Sequence, residues 1–217
     1  IINNVLDMAR IESGKVELSE DYVKISSMLR EFYDVFGEEA QQKGITFLHE
    51  DNVVHQYIIC DGTKIREIMI NLVSNAIKYT GEGGTIHCSV RQLPAQKDGR
   101  CIQELSVSDN GIGMSEEFQK HIFESFTRER SSTVSGVEGT GLGMGIVKKL
   151  VEMMHGEIKI HSRMGEGSTF TIRIPCRIAT VEDTQTKRAQ VHPDGKPLVG
   201  KRILLAEDND LNAEIAI

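Results

Sequence analysis

A helical stretch from about Thr63 to Tyr79 constrains this chain more than any other segment. At 100° per residue, Ile65, Ile68, Met69, Leu72 and Ala76 gather on one face that can bury against a sheet. Glu67, Asn71, Asn75 and Lys78 fall on a narrow stripe facing elsewhere, and Thr80-Gly81 closes the helix. Asparagine inside a helix costs about half a kcal/mol relative to alanine, so two of them one turn apart suggest a chemical job. Asn75 would offer a neutral carbonyl oxygen to Mg²⁺, Asn71 would support it, and Lys78 would reach a phosphate. Taken alone, the stripe reads equally well as a solvated polar face.

Strands and further helices are spaced around that element. Ile25 to Lys43 is predicted helical, with Met28, Leu29, Phe32, Val35 and Phe36 on one side. Ile45–His49 and Tyr57–Cys60 are short strand candidates. Thr85–Arg91 and Cys101–Ser108 alternate apolar and polar residues and read as a hairpin across the Pro94–Gly99 loop, with Gln103 breaking the alternation. Thr127–Glu138 holds no apolar period and reads as a long loop. A glycine-rich turn then opens a helix carrying Ile146, Val147, Leu150, Val151 and Met154, followed by strands over Glu157–His161 and Ser168–Ile174. The core domain is placed at 23–176, mixed α and β, with linkers at 14–22 and 177–200 and fragments at 1–13 and 201–217.

The surface and the cysteines exclude several classes. Among 217 residues, 26% are charged and the formal net charge is −7, which argues against a surface built to coat nucleic acid. No run approaches the roughly 18 apolar residues of a membrane span, so any anchor is expected upstream and this part is expected in the cytoplasm. Cys60, Cys88, Cys101 and Cys176 form no CxxC pair and read as reduced core thiols.

Two glycine motifs carry further chemistry. Asp109-Asn110-Gly111-Ile112-Gly113 follows a strand; an aspartate there can accept a hydrogen bond from an exocyclic amine, and the glycines let backbone pass close to a flat base. The same run is also a common turn. Gly139-Thr140-Gly141-Leu142-Gly143-Met144-Gly145 runs into a helix, so its N–H groups and the helix dipole can cradle phosphate. The spacing is not that of a Walker P-loop.

In order along the chain, "REIMINLVSNAIKYT", "VSDNGIGM", "IFESFTRE", "GTGLGMGIVKKLVEMMHGEI" and "GEGSTFTIRIP" resemble the N, G1, F, G2 and G3 boxes of the histidine kinase catalytic domain. The resemblance covers nearly all of residues 60 to 175. It implies a two-layer α/β sandwich, the Bergerat-type ATP-binding fold in the α+β class, with ATP between helices and sheet. Asn75 would ligate Mg²⁺ with Asn71 assisting, Lys78 would contact phosphate, and Asp109 would read adenine between Gly111 and Gly113. Gly139, Gly141 and Gly143 would hold phosphates, with Tyr79, Thr140 and Leu142 in the same nucleotide-contacting set and Thr169 reaching water near the base. Residues 114–138 would form a lid that Phe123 and Phe126 pack down, with Arg128 at the γ-phosphate and Arg130 close enough to compete.

Related ATPases, type II topoisomerases included, carry a water-activating glutamate where this chain has Asn71, and an amide cannot act as that base. The resemblance thus implies transfer of the γ-phosphate to another nucleophile. In the family that is a histidine on a dimerising hairpin. None of the seven histidines here has that setting, and His121 reads as structural. Residues 1–13 resemble the end of the hairpin's second helix, so the acceptor is expected upstream in a homodimeric parent. "KRILLAEDNDLNAEIAI" resembles the start of a receiver domain, with Glu207 and Asp208 as its Mg²⁺ acids and its phosphoacceptor aspartate downstream. The competing expectations are an ATPase of the same superfamily and a non-catalytic nucleotide scaffold.

Overall fold

The computed structural model describes residues 6, 8–11, 13–94, 99–127, 141–180 and 183. The chain divides into two units, Ile1–Thr180 and Val181–Ile217; almost all described residues belong to the first.

Seven strands form one sheet among the described residues: β1 (Asp21–Lys24), β2 (Thr46–Asn52), β3 (Tyr57–Cys60), β4 (Thr85–Leu93), β5 (Arg100–Asp109), β6 (Glu157–Arg163) and β7 (Gly167–Ile178). The order is β1-β3-β7-β5-β4-β2, with β6 pairing the first half of β7. All pairs are antiparallel except β2 with β4. Helices α1 (Ile25–Gln42), α2 (Gly62–Tyr79) and α4 (Gly143–Met153) make the second layer, and the short α3 (Glu116–His121) lies between β5 and α4 in the chain. The expected hairpin is present as β4 and β5, and the expected long helices lie within a residue or so of their predicted bounds.

Local chemistry sets these elements. Ile25, Met28, Leu29, Phe32, Tyr33, Phe36 and Ala40 recur at helical spacing on α1 and are buried, whereas Val35, expected on the same side, is 62% exposed. Its C-terminus closes in a Schellman motif: Gly44, at φ 67°, donates to Gln41 O, and Ile45 N donates to Ala40 O. At the start of α2, Asp61 accepts from Lys64 N at 2.9 Å as an N-cap and from Ser19 N at 2.9 Å. That second bond fastens part of the stretch expected as a linker, where Val16 and Leu18 pack on the core and β1 already begins at Asp21. Met8 and Ile11, from the segment resembling the hairpin end, are also buried in this core.

Inward-facing residues of the sheet meet the buried faces of α2 and α4 in one core. The four cysteines are buried and free, as expected. Burial pushes the Cys88 thiol up to about 12, which leaves it un-ionised and unreactive.

The outer sheet face is held by a row of charges in register across four strands: Arg91, Glu104, Arg173 and Glu157. Glu104 takes hydrogen bonds from Arg91 Nη2 and, at 2.7 Å, from Arg173 Nε; Arg173 also reaches Glu157 at 3.1 Å. Burial by itself would raise the Glu104 carboxyl, but the two guanidinium groups outweigh it and hold it below its usual 4.5. A carboxylate depressed in the folded state contributes stability above its unfolded value, and that contribution is lost as pH falls through the folded one. Glu104→Gln is therefore expected to cost about 2 kcal/mol at neutral pH, since both arginines keep a water-facing side. Thermal melts below pH 4.5 should show the variant and the parent converging; a difference independent of pH would refute this.

Candidate functional site

The site is built along α2. Asn71 Nδ2 donates to Glu67 O at 2.9 Å on its own helix, which leaves Oδ1 directed away from that bond. A Cβ placed on Gly143 would lie 2.7 Å from Asn71 Oδ1, so the glycine turn is in contact with the asparagine stripe. Asn75, half-buried one turn on, makes no side-chain hydrogen bond to any described residue. Lys78 follows, its Nζ 5.2 Å from the Tyr79 ring centroid.

Helix α4 begins at this contact. Leu142 caps it without a side-chain hydrogen bond, and no acidic residue occupies its first turn. Its leading N–H groups and positive dipole end are thus left for an anion. Leu142 itself is 1% exposed, so its side chain is core and only its main chain can serve a nucleotide. Gly141, at φ 71°, would bring a Cβ within 2.8 Å of the Phe126 carbonyl carbon, and its own carbonyl accepts from Phe126 N at 3.1 Å. Phe126 and Gly141 are therefore joined directly. Phe123 packs on the core with Lys148 Nζ 5.4 Å from its ring. Phe126, expected to pack likewise, is 68% exposed. At φ 64° its N–H is held by Gly141 while the ring stands out to solvent.

The other wall comes from the turn after β5. Asp109 Oδ1 accepts from Gly111 N at 2.9 Å. Burial raises its carboxyl above the usual range, partly opposed by the backbone N–H groups of Gly111 and Ser168. A Cβ on Gly111 would lie 2.3 Å from Tyr79 O, and Ile112 N donates to that same carbonyl at 3.2 Å. The Asp109–Gly113 turn thus abuts the end of α2 as Gly143 abuts its middle, with Asn75 and Lys78 between them.

Thr169 corrects an expectation. It pairs with Ser108 on β5, and the two hydroxyls lie 2.8 Å apart. Asp109 pairs with Ser168 instead, and successive strand residues face opposite sides. Thr169 therefore lies on the sheet face away from the site, and Ser168, buried beside Asp109, takes the inner position. Strand alternation counted back from Phe170 carries that signal in the sequence. His121 is exposed and paired with Glu124 at 2.8 Å and with Glu117 at 3.7 Å. Arg128, Arg130, Gly139, Thr140, Glu207 and Asp208 lie outside the described residues.

Among the described residues no cluster of three His, Cys, Asp or Glu side chains could hold a metal ion. A cation here would rest on the Asn75 amide and on ligand oxygens. That donor set fits Mg²⁺, which takes few protein ligands and keeps phosphate oxygens and water.

The family described as histidine kinase-, DNA gyrase B-, and HSP90-like ATPase matches residues 60–178. This chain belongs to that family. Its sheet and helical layer are the Bergerat-type ATP-binding fold, as expected. The chain is 34% identical over 221 residues to the aerobic respiration control sensor protein ArcB of Escherichia coli (strain K12), covering 100% of this chain and 27% of that protein. It is 33% identical over 218 residues to the autoinducer 2 sensor kinase/phosphatase LuxQ of Vibrio vulnificus (strain YJ016), covering 99% and 25%. It spans about a quarter of the length of these curated relatives. The crystal structure of full-length ShkA in complex with AMPPNP superposes at a TM-score of 0.69 with 29% identity, covering 83% of this chain and 36% of that one. This ATPase-family module is thus homologous to a part of these sensor proteins. No described helix is long and apolar enough to cross a membrane.

Proposed function

We propose that this module binds Mg²⁺–ATP along α2 and presents the γ-phosphate to a histidine on the dimerising hairpin of its parent kinase. The observation that supports this most is the bracketing of Asn75 and Lys78 by two glycine turns, one against Asn71 and one against Tyr79 O. Asp109 would accept the adenine amine, and the α4 N-terminus and Lys78 would take the phosphates. Asn75 would hold Mg²⁺, which would neutralise phosphate charge there. Phosphoryl transfer asks for positioning and charge neutralisation more than for covalent help, and these groups can supply both.

Hydrolysis is disfavoured by the residue types present. Position 71 is an amide, and the carboxylate of the stripe, Glu67, is paired with Lys64 at 2.8 Å. The amide cannot take a proton from water, and the Glu67 carboxylate is engaged by Lys64. The phosphate would pass from the hairpin histidine to a receiver aspartate, with Glu207 and Asp208 as the Mg²⁺ acids of a receiver domain in the same parent. The parent would act as a homodimer, with this module on the cytoplasmic side of the membrane.

Mixing the module with ATP, Mg²⁺ and a cognate histidine-bearing hairpin is expected to give acid-labile phosphate on the hairpin. Steady ADP release without it would mark an ATPase, and nucleotide binding with neither product would mark a scaffold.

A further inference from the structure

The Ser162 hydroxyl, near the end of β6, makes three hydrogen bonds. Met114 N donates to its Oγ at 2.9 Å, it donates to Gly167 O at 2.9 Å, and Ser168 Oγ lies 2.9 Å away. A serine hydroxyl has one proton and two acceptor positions. The carbonyl of Gly167 can only accept and the Met114 amide can only donate. The one Ser162 proton is therefore committed to Gly167, and Ser168 must be the donor in the third bond. The hydroxyl is saturated, and the direction of every bond is fixed.

Each of the three partners borders the Asp109 turn. Met114 follows directly from Gly113. Ser168 is the register partner of Asp109 across β7 and β5. Gly167, at φ 98°, presses so closely on Asp109 that a Cβ there would lie 1.9 Å from Asp109 O. The turn between β6 and β7 is bound to the same segment by Gly165 N donating to Ile112 O at 2.8 Å. From the other side, Gln119 on α3 places its Nε2 3.1 Å from Met114 O and 3.0 Å from Ser162 O. One hydroxyl thus holds together the exit of the Asp109 turn and the strand behind it, and Gln119 adds the first helix of the expected lid.

We infer that Ser162 is a positioning residue for base recognition: it sets where the Asp109 carboxylate stands and so how well the site separates an adenine nucleotide from one lacking the 6-amino group. The inference rests on the assignment of Asp109 as the base-reading group. Removing the hydroxyl leaves Met114 N and Gly167 O without their partner and frees Ser168 to turn. The base-reading bond should then weaken while the phosphate contacts along α2 and α4 stay in place.

The test compares ATP and inosine triphosphate affinities, with Mg²⁺, for the parent, Ser162→Ala, Ser162→Thr and Asp109→Asn. Ser162→Ala is expected to lower the ATP-over-ITP preference about five- to tenfold, the worth of one hydrogen bond, with ITP affinity within about twofold of the parent. Ser162→Thr, which keeps the hydroxyl on a strand-compatible side chain, should restore most of the preference. Equal losses for both nucleotides in Ser162→Ala, or an unchanged ratio, would overturn the inference, because a purely structural role has no reason to separate two bases. If Asp109→Asn also leaves the ratio unchanged, the assignment of Asp109 itself fails. If only Asp109→Asn moves it, that assignment stands and the role of Ser162 falls. A melting midpoint for each variant shows that folded protein is being compared.

Discussion

Replacing Asn75 by alanine is expected to lower Mg²⁺-dependent ATP affinity by more than about a hundredfold and to abolish phosphate transfer to the hairpin. Asn75 sits half-buried between the two glycine turns, and its amide has no hydrogen-bond partner among the described residues. That amide is not among the buried unpartnered polar groups of the described residues, so its oxygen is open to a ligand. Even groups that only orient a metal's ligands typically contribute ten- to hundredfold in metal affinity, so a ligand itself should contribute at least the upper part of that range. Folding should change little, because alanine is a better helix former at this position. Titration of ATP with and without Mg²⁺, beside a thermal melt, reads both effects. Unchanged affinity in a folded Asn75→Ala protein would remove Asn75 from the site.

The second large effect is on stability. Gly113→Ala is expected to destabilise the module by about 3 kcal/mol and to lower its melting midpoint by roughly 6–12 °C. Gly113 stands at φ 65°, where an L side chain is strained, and a Cβ there would lie 1.9 Å from Arg163 O and 2.6 Å from Arg163 C. Both atoms belong to backbone at the end of β6, which is held in place by its pairing with β7 and by Ser162. Neither a rotamer change nor a small shift relieves the contact, so the turn must separate from the strand. Gly83 supplies the control. It is also at positive φ (78°), but a Cβ there would meet nothing within 4 Å, so Gly83→Ala carries the conformational strain without the collision. Equal melting shifts for the two variants would show that strain alone accounts for the loss at Gly113.

The sequence made the secondary structure and the polar face of α2 legible because both depend on short periods. Buried α1 positions repeat every three or four residues, and β4 alternates with period two from Ile86 to Val90. The start of the sheet was less legible. In β1, Asp21–Lys24, four residues carry little pattern, and their place is decided by pairing with β3 and by the bond from Ser19 N to Asp61. Thr169 shows how a motif can name the right segment and the wrong side chain. The run Gly167-Ser168-Thr169 does border the site, yet the register of β7 against β5 turns Ser168 inward and Thr169 outward.

By itself the sequence determined that one helix carries two asparagines, an amide in place of a carboxylate at position 71, and glycines where backbone must come close. Those are properties of residue type and spacing, and they bound the chemistry before any folding. Only the tertiary structure decided that Gly143 touches Asn71, that Gly111 rests on Tyr79 O, and that Ser162 ties the Asp109 turn to the strand behind it. These contacts join residues tens of positions apart. They arise because the apolar faces of α2 and α4 bury against each other and the sheet, which no local pattern encodes.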